Sequence, residues 1–551
     1  MTNLNENLFG YTINPKYKKS VAYFSMEFAI DQSLKIYSGG LGFLAGSHMR
    51  SAYQLKQNLV GVGMLWTYGY YDQVRSVSGS MKAEFTHKYN SFLHDPKILV
   101  PITIHGAEVW VKAMLLKPDT FGSAPIFLLT TDIPENDGLS RTITRKLYDS
   151  NESTRLAQSM VLGIGGAKVL EAAGMDIDYY HMNEGHALPL CFHLYQKFGK
   201  SKLKVKEHLV FTTHTPEKAG NEEHHIDLMD KMSFFCGLEK EEVRDLVGVE
   251  GDMVNYTLSA LRLAKKANAV SKMHGDVSRD MWSSFDHICE ITHITNAQNK
   301  LYWSDAQLDT AFKKKNHETI LERKQAMKKE LFKVVADQTG KLFDPNVLTL
   351  VWARRFAGYK RADLLMYHFD KFLSLINNSE LPIQIIWAGK PYPEDFGAID
   401  TFNNIWWKTL EFKNCAVLTG YELGLSAILK KGSDVWLNNP KITREASGTS
   451  GMTAAMNGSI NFSIPDGWIP EFAVHGENCF LIQPATGALD ESEQNAIEAE
   501  RMIEILNTEI LPMYYHHPEK WAALMTKSAN DVIPFFDSDR MADEYYQVMF
   551  Q

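Results

Sequence analysis

Four cations fall within Arg354-Arg-Phe-Ala-Gly-Tyr-Lys-Arg361, directly after the apolar run 348–352. Cations gathered at a strand's C-terminal end repel one another unless an anion neutralises some of them. Arginine forks and a lysine point charge suit phosphate oxygens, so the cluster reads as a phosphate site, with a solvated basic turn as the plainer alternative. Further on, Glu445-Ala-Ser-Gly-Thr-Ser-Gly-Met452 sets small hydroxyl and glycine residues behind one carboxylate and runs into the helix-like TAAMNG. Hydroxyls and N–H groups at a helix start make an anion cradle, and the carboxylate can hold a sugar hydroxyl. A helix cap with a glycine turn is the alternative there. Near the other end, Tyr37-Ser-Gly-Gly-Leu-Gly42 lets backbone approach a ligand ahead of the helix-like segment 44–57, or is simply a structural turn. Two cradles and a basic cluster together form a phosphate-chemistry pattern.

Three other motifs lose their chemistry on inspection. Gly163-Ile-Gly-Gly-Ala167 lies inside the periodic run 157–173 with no strand leading into it, so close helix packing is expected rather than dinucleotide binding. His181-Met-Asn-Glu-Gly-His186 and Glu222-Glu-His-His225 lack the helical spacing of a zinc site and a third ligand nearby. Hydrogen-bonded histidines are expected and no metal.

The elements that must position these residues are short apolar, β-branched runs alternating with helical stretches, the pattern of α/β layers. The runs are 20–24, 208–213, 288–295, 348–353, 383–388 and 434–437. Most are followed by glycine, proline or small polar residues, where ligand loops of parallel sheets sit. The charged helical stretch 305–338 reads as a solvated connector. The aromatic, helical tail from about 491 must dock on something, most economically by crossing back onto the first domain.

A length of 551 residues implies more than one domain and a core that needs no staples. The balance of 57 basic and 66 acidic residues leaves −9, which argues against nucleic acid or an anionic membrane as the main partner. Five scattered cysteines without a CxxC pair suggest a reduced setting. No apolar leader or membrane-length run is present in the sequence, so a cytoplasmic protein is expected.

In order along the chain, VAYFSMEF, YSGGLGFLAG, HMNEGHALPL, FTTHTPEKAGN, VSKMHGDVSRDMW, ITHITN, ARRFAGYKRA, WAGKPYP, DVWLNNP and EASGTSGMTAAMNG span about 21–466. Together they resemble the α-glucan (glycogen, starch, maltodextrin) phosphorylases, the short bacterial branch in particular. The resemblance implies an α/β GT-B fold, with two Rossmann-like domains facing a central cleft and C-terminal helices crossing back to the first domain. The corresponding segments are 1–303 on the glucan side, a connector at 304–340, 341–490 on the phosphate and donor side, and the helices of 491–551. It implies retaining glucosyl transfer between an α-1,4-glucan and phosphate or sugar phosphate, and dimers are common among such proteins. His214 and Asn296 would hold the glucosyl unit, and Glu445, Ala446, Ser447 and Gly448 its far hydroxyls. Arg355 and Lys360 would bind the substrate phosphate, while Gly39, Gly40, Arg354, Thr449, Ser450 and Thr453 would border the phosphate and cofactor.

One position departs from the pattern. The family motif reads EASGT-x-x-M-K, and its lysine carries pyridoxal phosphate as a Schiff base; here the position is Thr453, which cannot form that imine. Lys430, Lys431 and Lys441 lie outside the motif and are not obvious substitutes. Covalent attachment of the cofactor is therefore not expected. Three functions stay open: a phosphorylase holding its cofactor otherwise, a cofactor-free glucosyltransferase using a nucleotide sugar, and an inactive glucan-binding protein. The last is disfavoured because the remaining motifs look complete. Against the second, bacterial nucleotide-sugar glycogen synthases carry a lysine where this chain has Tyr37.

Overall fold

The computed structural model describes residues 8–249, 251–488 and 490–551. The chain forms two compact units. The first holds the described residues up to 71, then 85–296 and 538–551, and the second holds 72–84 and 297–537.

The first unit is built on a nine-stranded sheet. Seven strands are parallel, in the order Glu290–His293, Lys266–Ala269, Leu209–Thr212, Tyr179–Asn183, Val21–Phe24, Leu59–Met64 and Ile126–Thr130; Ala107–Leu116 and Leu99–Ile104 add an antiparallel edge. Strands such as LVGVGM and IFLLT are buried on both faces, which is why they read as unbroken apolar runs rather than alternating ones. Val21–Phe24 pairs with Leu59–Met64 on one side and Tyr179–Asn183 on the other. The sheet therefore winds both ways from its first strand, and loops at the C-terminal ends of these neighbours open onto a crevice. Gly163 lies in a π-helical turn, Val161–Gly165, and a Cβ there would come within 2.7 Å of the Leu190 nitrogen. That is the close packing expected of this glycine run. The final helix, Ser538–Val548, docks here: Tyr545 receives a hydrogen bond from Asn268 at 3.1 Å, and Ser538 meets Ser51 at 2.6 Å.

The second unit carries six parallel strands: Cys415–Leu418, Ile383–Ala388, Leu348–Ala353, Val435–Asn438, Ile460–Ser463 and Phe480–Leu481. In chain order this is 3-2-1-4-5-6, the doubly wound arrangement, with its reversal between Leu348–Ala353 and Val435–Asn438. The segment expected to be a solvated connector is instead a structural layer of this unit. Lys315, with φ +51°, breaks it into Ala306–Lys314 and His317–Thr339. The longer helix buries Ile320, Met327, Leu331, Phe332 and Val335, several of them in one cluster with Val351, Ile386 and Trp436. The charged face dominated the sequence pattern and masked that apolar stripe.

Two further boundaries differ from expectation. Of the tail helices, Glu491–Ile505, Leu511–His516 and Pro518–Val532 belong to the second unit, and only residues from 538 onward belong to the first. The hairpin Asp72–Arg75/Met81–Glu84 also joins the second unit, where Gln73 bonds Gly389 O and Gly420 N and Arg75 bonds Val417 O. Among the described residues, no helix is long and apolar enough to cross a membrane.

Candidate functional site

In the second unit, two loops leave the C-terminal ends of the strands that flank the reversal. The loop after Leu348–Ala353 carries Arg354, Arg355 and Lys360; the loop after Val435–Asn438 carries 445–450. Their key contact is Lys360 Nζ to Glu445 Oε2 at 2.5 Å, with the two side chains only 11% and 10% exposed. Burial alone raises the Glu445 carboxyl, but Lys360, Arg354 and Arg355 outweigh it and hold the carboxyl below its ordinary value.

The four cations of the basic cluster therefore have different tasks. The Arg354 guanidinium is buried and donates to Asn438 Oδ1 and Leu437 O, bracing the neighbouring strand; its Nε has no partner within the chain. Arg361 donates to Asn439 O and Pro440 O and pairs with Glu498 at 2.6 Å, all buried. Arg355 is exposed. Glu445 and Glu498 thus supply much of the neutralisation that sequence reasoning assigned to an outside anion. Neither carboxylate is adjacent to the cluster in sequence.

The Glu445 loop is held in place by Asp466, whose two oxygens accept Glu445 N at 2.9 Å and Gly467 N at 2.8 Å. Gly448 takes φ +86°, a conformation that a side chain would strain. Ser447 Oγ is buried without a partner, and Ala446 is 9% exposed. Thr449 precedes the short helix Ser450–Ala455, and Ser450 Oγ accepts from Trp436 Nε1. Thr453 is fully buried, and its hydroxyl donates to Ser450 O at 3.0 Å.

Asp466 yields a pH prediction. Burial raises its carboxyl to about 7, against the pull of the two backbone N–H groups. Because the folded value lies above the ordinary 3.8, its stabilising contribution is complete below about 3.8 and lost as pH rises through about 7. Asp466→Asn is expected to flatten the decline in unfolding free energy across that window. Denaturant titrations at several pH values check this, and parallel wild-type and variant curves would contradict it.

In the first unit, Glu27, three residues past the strand Val21–Phe24, is 2% exposed. Its carboxylate accepts Ser38 N at 2.6 Å, Gly39 N at 3.1 Å and Tyr148 Oη at 2.7 Å. The 38–39 amides, read as part of an anion cradle, thus face a protein carboxylate. A Cβ at Gly39 or Gly40 would meet nothing within 4 Å, so the space over this loop is open to a ligand.

The strands Tyr179–Asn183 and Leu209–Thr212 deliver Asn183, Glu184 and His214 together. His214 Nε2 lies 2.7 Å from Asn183 Oδ1, while Asn183 Nδ2 donates to Ser25 Oγ. That second bond orients the amide, so Nε2 of His214 carries the proton. Burial lowers the His214 pKa to about 3, so the ring is neutral near pH 7. Glu184 adopts φ +73°, rare for a residue with a side chain, and its carboxylate accepts His214 N and Thr215 Oγ1. Asn296 is buried with Oδ1 unpartnered. Of the histidines in the two metal-like motifs, His181 bonds Thr212 and His224 bonds Glu152 and Glu222, as expected, whereas Nδ1 of the His186 ring is buried without a hydrogen-bond partner.

Glu27, Asn183, Glu184 and Asp466 were not foreseen as site residues. For Glu27 and Glu184 a signal existed, a carboxylate placed at the end of an apolar run. Asp466 had none, because its role depends on a loop distant in sequence.

A family model described as carbohydrate phosphorylase matches residues 292–511. Maltodextrin phosphorylase from Thermococcus litoralis is 32% identical, across 98% of this chain and 71% of its own length. Glycogen phosphorylase from Aquifex aeolicus is 31% identical, across 96% of this chain and 86% of its own. An uncharacterized protein from Methanocaldococcus jannaschii is 49% identical, across 97% of this chain and all of its own.

Proposed function

The chain belongs to the carbohydrate phosphorylase family, and from that membership we propose that it is a retaining glucosyltransferase that moves glucosyl units between an α-1,4-glucan and phosphate, with glucose 1-phosphate as the small sugar. The observation that carries this proposal is the buried Lys360–Glu445 pair at the sheet reversal, a cation for a phosphate beside a carboxylate for sugar hydroxyls.

The pair gives coupled recognition. Lys360 is masked by Glu445 until a sugar phosphate arrives; phosphate oxygens then engage Lys360 and Arg355 while the sugar's hydroxyls donate to Glu445. A phosphate without a sugar leaves Glu445 desolvated and unmatched, and a sugar without a phosphate does the same to Lys360. Ala446, Ser447 and Gly448 hold the same end of the sugar, with the Ser447 hydroxyl as a waiting donor. His214 and Asn296 supply neutral polar groups for the glucosyl unit. A neutral, fixed imidazole does not add positive charge beside a developing oxocarbenium ion. Retention without a protein nucleophile follows when the departing and arriving groups share one face of the sugar, held by the same cations.

The family implies pyridoxal phosphate. Thr453 offers it no imine anchor, yet the buried Arg354 Nε, without a partner in the chain, is a donor suited to an anionic ligand. Arg354, Thr449 and Ser450 would hold it, and when bound it supplies a phosphate that exchanges a proton with the substrate phosphate.

Maltodextrin with phosphate, with pyridoxal phosphate supplied, is expected to release glucose 1-phosphate of α configuration. Transfer from UDP-, ADP- or GDP-glucose with none from glucose 1-phosphate would overturn the proposal. Glucan binding without turnover of any donor would do so as well.

A further inference from the structure

We propose that His224 is a positioning residue for the proposed glucosyl transfer: an imidazolium clamped between Glu152 and Glu222 that fixes the far end of the segment 214–221, whose near end carries His214. This rests on the proposed function, which assigns His214 to the glucosyl unit.

The clamp is a compact cluster in the first unit. His224 is the middle residue of the short strand Glu223–His225, which pairs antiparallel with Met253–Asn255. Its side chain is 6% exposed, with Nδ1 2.7 Å from Glu152 Oε1 and Nε2 2.9 Å from Glu222 Oε1. A neutral imidazole has one donor and one acceptor nitrogen, and here the acceptor would confront a carboxylate oxygen. Both nitrogens therefore donate, and the ring is charged. Arg155 brings a second cation to Glu222 at 2.8 Å. Glu152 and Arg155 lie three residues apart in the helix Glu152–Met160, so one face of it presents a carboxylate and a guanidinium to the strand.

Two other elements add titratable groups. Tyr256, at the start of the helix Tyr256–Leu263, sets its ring centre 5.4 Å from that of His224, and His186 acts on Glu222 from the turn Gly185–Ala187. Burial lowers the His224 pKa, but Glu222 and Glu152 outweigh it and raise the value above the ordinary 6.5. Burial raises the Glu222 carboxyl, but His224 and Arg155 outweigh it and bring the value down to about 2. The sign follows. The clamp is complete below the ordinary 6.5 and is lost as pH rises through the raised value, when one ring nitrogen becomes an acceptor facing a carboxylate.

The clamp reaches His214 through the intervening segment. Tyr256 N donates to Glu222 O at 2.9 Å and Thr257 Oγ1 to Asn221 Oδ1 at 2.6 Å, which ties the segment's far end to one helix. The segment then folds back on itself, because a Cβ at Gly220 would come within 2.9 Å of Thr215 Cγ2. Thr215 Oγ1 and His214 N both donate to the Glu184 carboxylate, which sets the His214 backbone. Loosening at Glu222 is thus passed to the residues beside His214.

The test follows backbone hydrogen exchange of the full chain by mass spectrometry across pH, corrected for intrinsic rates, beside transfer kinetics. In the unaltered chain, exchange over 214–221 is expected to speed up several-fold as His224 loses its proton. His224→Gln should show that fast exchange already at neutral pH and lower kcat by about tenfold. Glu152→Gln, at a side chain 54% exposed, should move the step to lower pH. The pH series and Glu152→Gln decide the matter even if His224→Gln does not fold. Faster exchange confined to 222–225, a step that Glu152→Gln leaves in place, or kcat within a few-fold of wild type in folded His224→Gln would overturn the inference. Glucosyl transfer with exchange over 214–221 indifferent to His224 would overturn it while sparing the proposed function. The expected exchange pattern in a chain that transfers no glucosyl unit would support the clamp and remove that function.

Discussion

Lys360→Met is expected to lower kcat/KM for glucosyl transfer by roughly a hundred- to a thousandfold, the loss typical of removing one preorganised charge from a developing anion. The same change leaves Glu445 buried without its counter-cation. Breaking a buried ion pair from one side costs about 3–5 kcal/mol, so unfolding should also shift markedly. The two losses are separable. In Lys360→Met with Glu445→Gln no buried charge is stranded, because both partners of a pair only 11% and 10% exposed become neutral. Most of the stability should return while transfer stays lost. Denaturant unfolding beside phosphorolysis kinetics reads both. Recovery of activity with stability would reduce the pair to a structural contact, and a single variant within a few-fold of wild type would remove Lys360 from the phosphate site.

Lys328→Met should show the converse. Lys328 and Asp434 are 1% and 3% exposed and 2.5 Å apart, and Asp434 also accepts Thr349 N at 2.8 Å. The pair joins the helix His317–Thr339 to the N-terminal ends of the two central strands and reaches Tyr514 in the tail. Removing the cation strands a buried carboxylate, and a loss of about 3–5 kcal/mol is expected. The site loops leave the opposite ends of those strands, so kcat/KM per folded molecule should stay within a few-fold. Matched melting and kinetic measurements check this; a large fall in kcat/KM among folded molecules would show that the two ends of the sheet are coupled.

These two lysines also show how far a linear reading reaches. Lys360 stands in a compact basic cluster after an apolar run, and that type and spacing are why a phosphate site is expected there. Lys328 sits among KKELFK on a helix whose charged face looks solvated, and nothing local separates it from its exposed neighbour Lys329. Burial of one and not the other is decided when that helix lies on the sheet, because side chains one position apart on a helix point about 100° apart.

By itself the sequence determined the elements and the chemistry available. All six expected strands form, their ends within two residues of those expected, because buried parallel strands need unbroken β-branched runs. The motif residues and the loss of lysine at 453 were equally legible, since each is a matter of residue type and spacing. Tertiary structure decided the partners: that Arg354 and Arg361 brace strands, that Glu27 occupies the 38–39 amides, and that Asp466 holds Glu445. A charge in water is nearly indifferent to neighbours far along the chain. Once desolvated, it must be matched by whatever the fold brings within hydrogen-bond reach, and that pairing has no local signature.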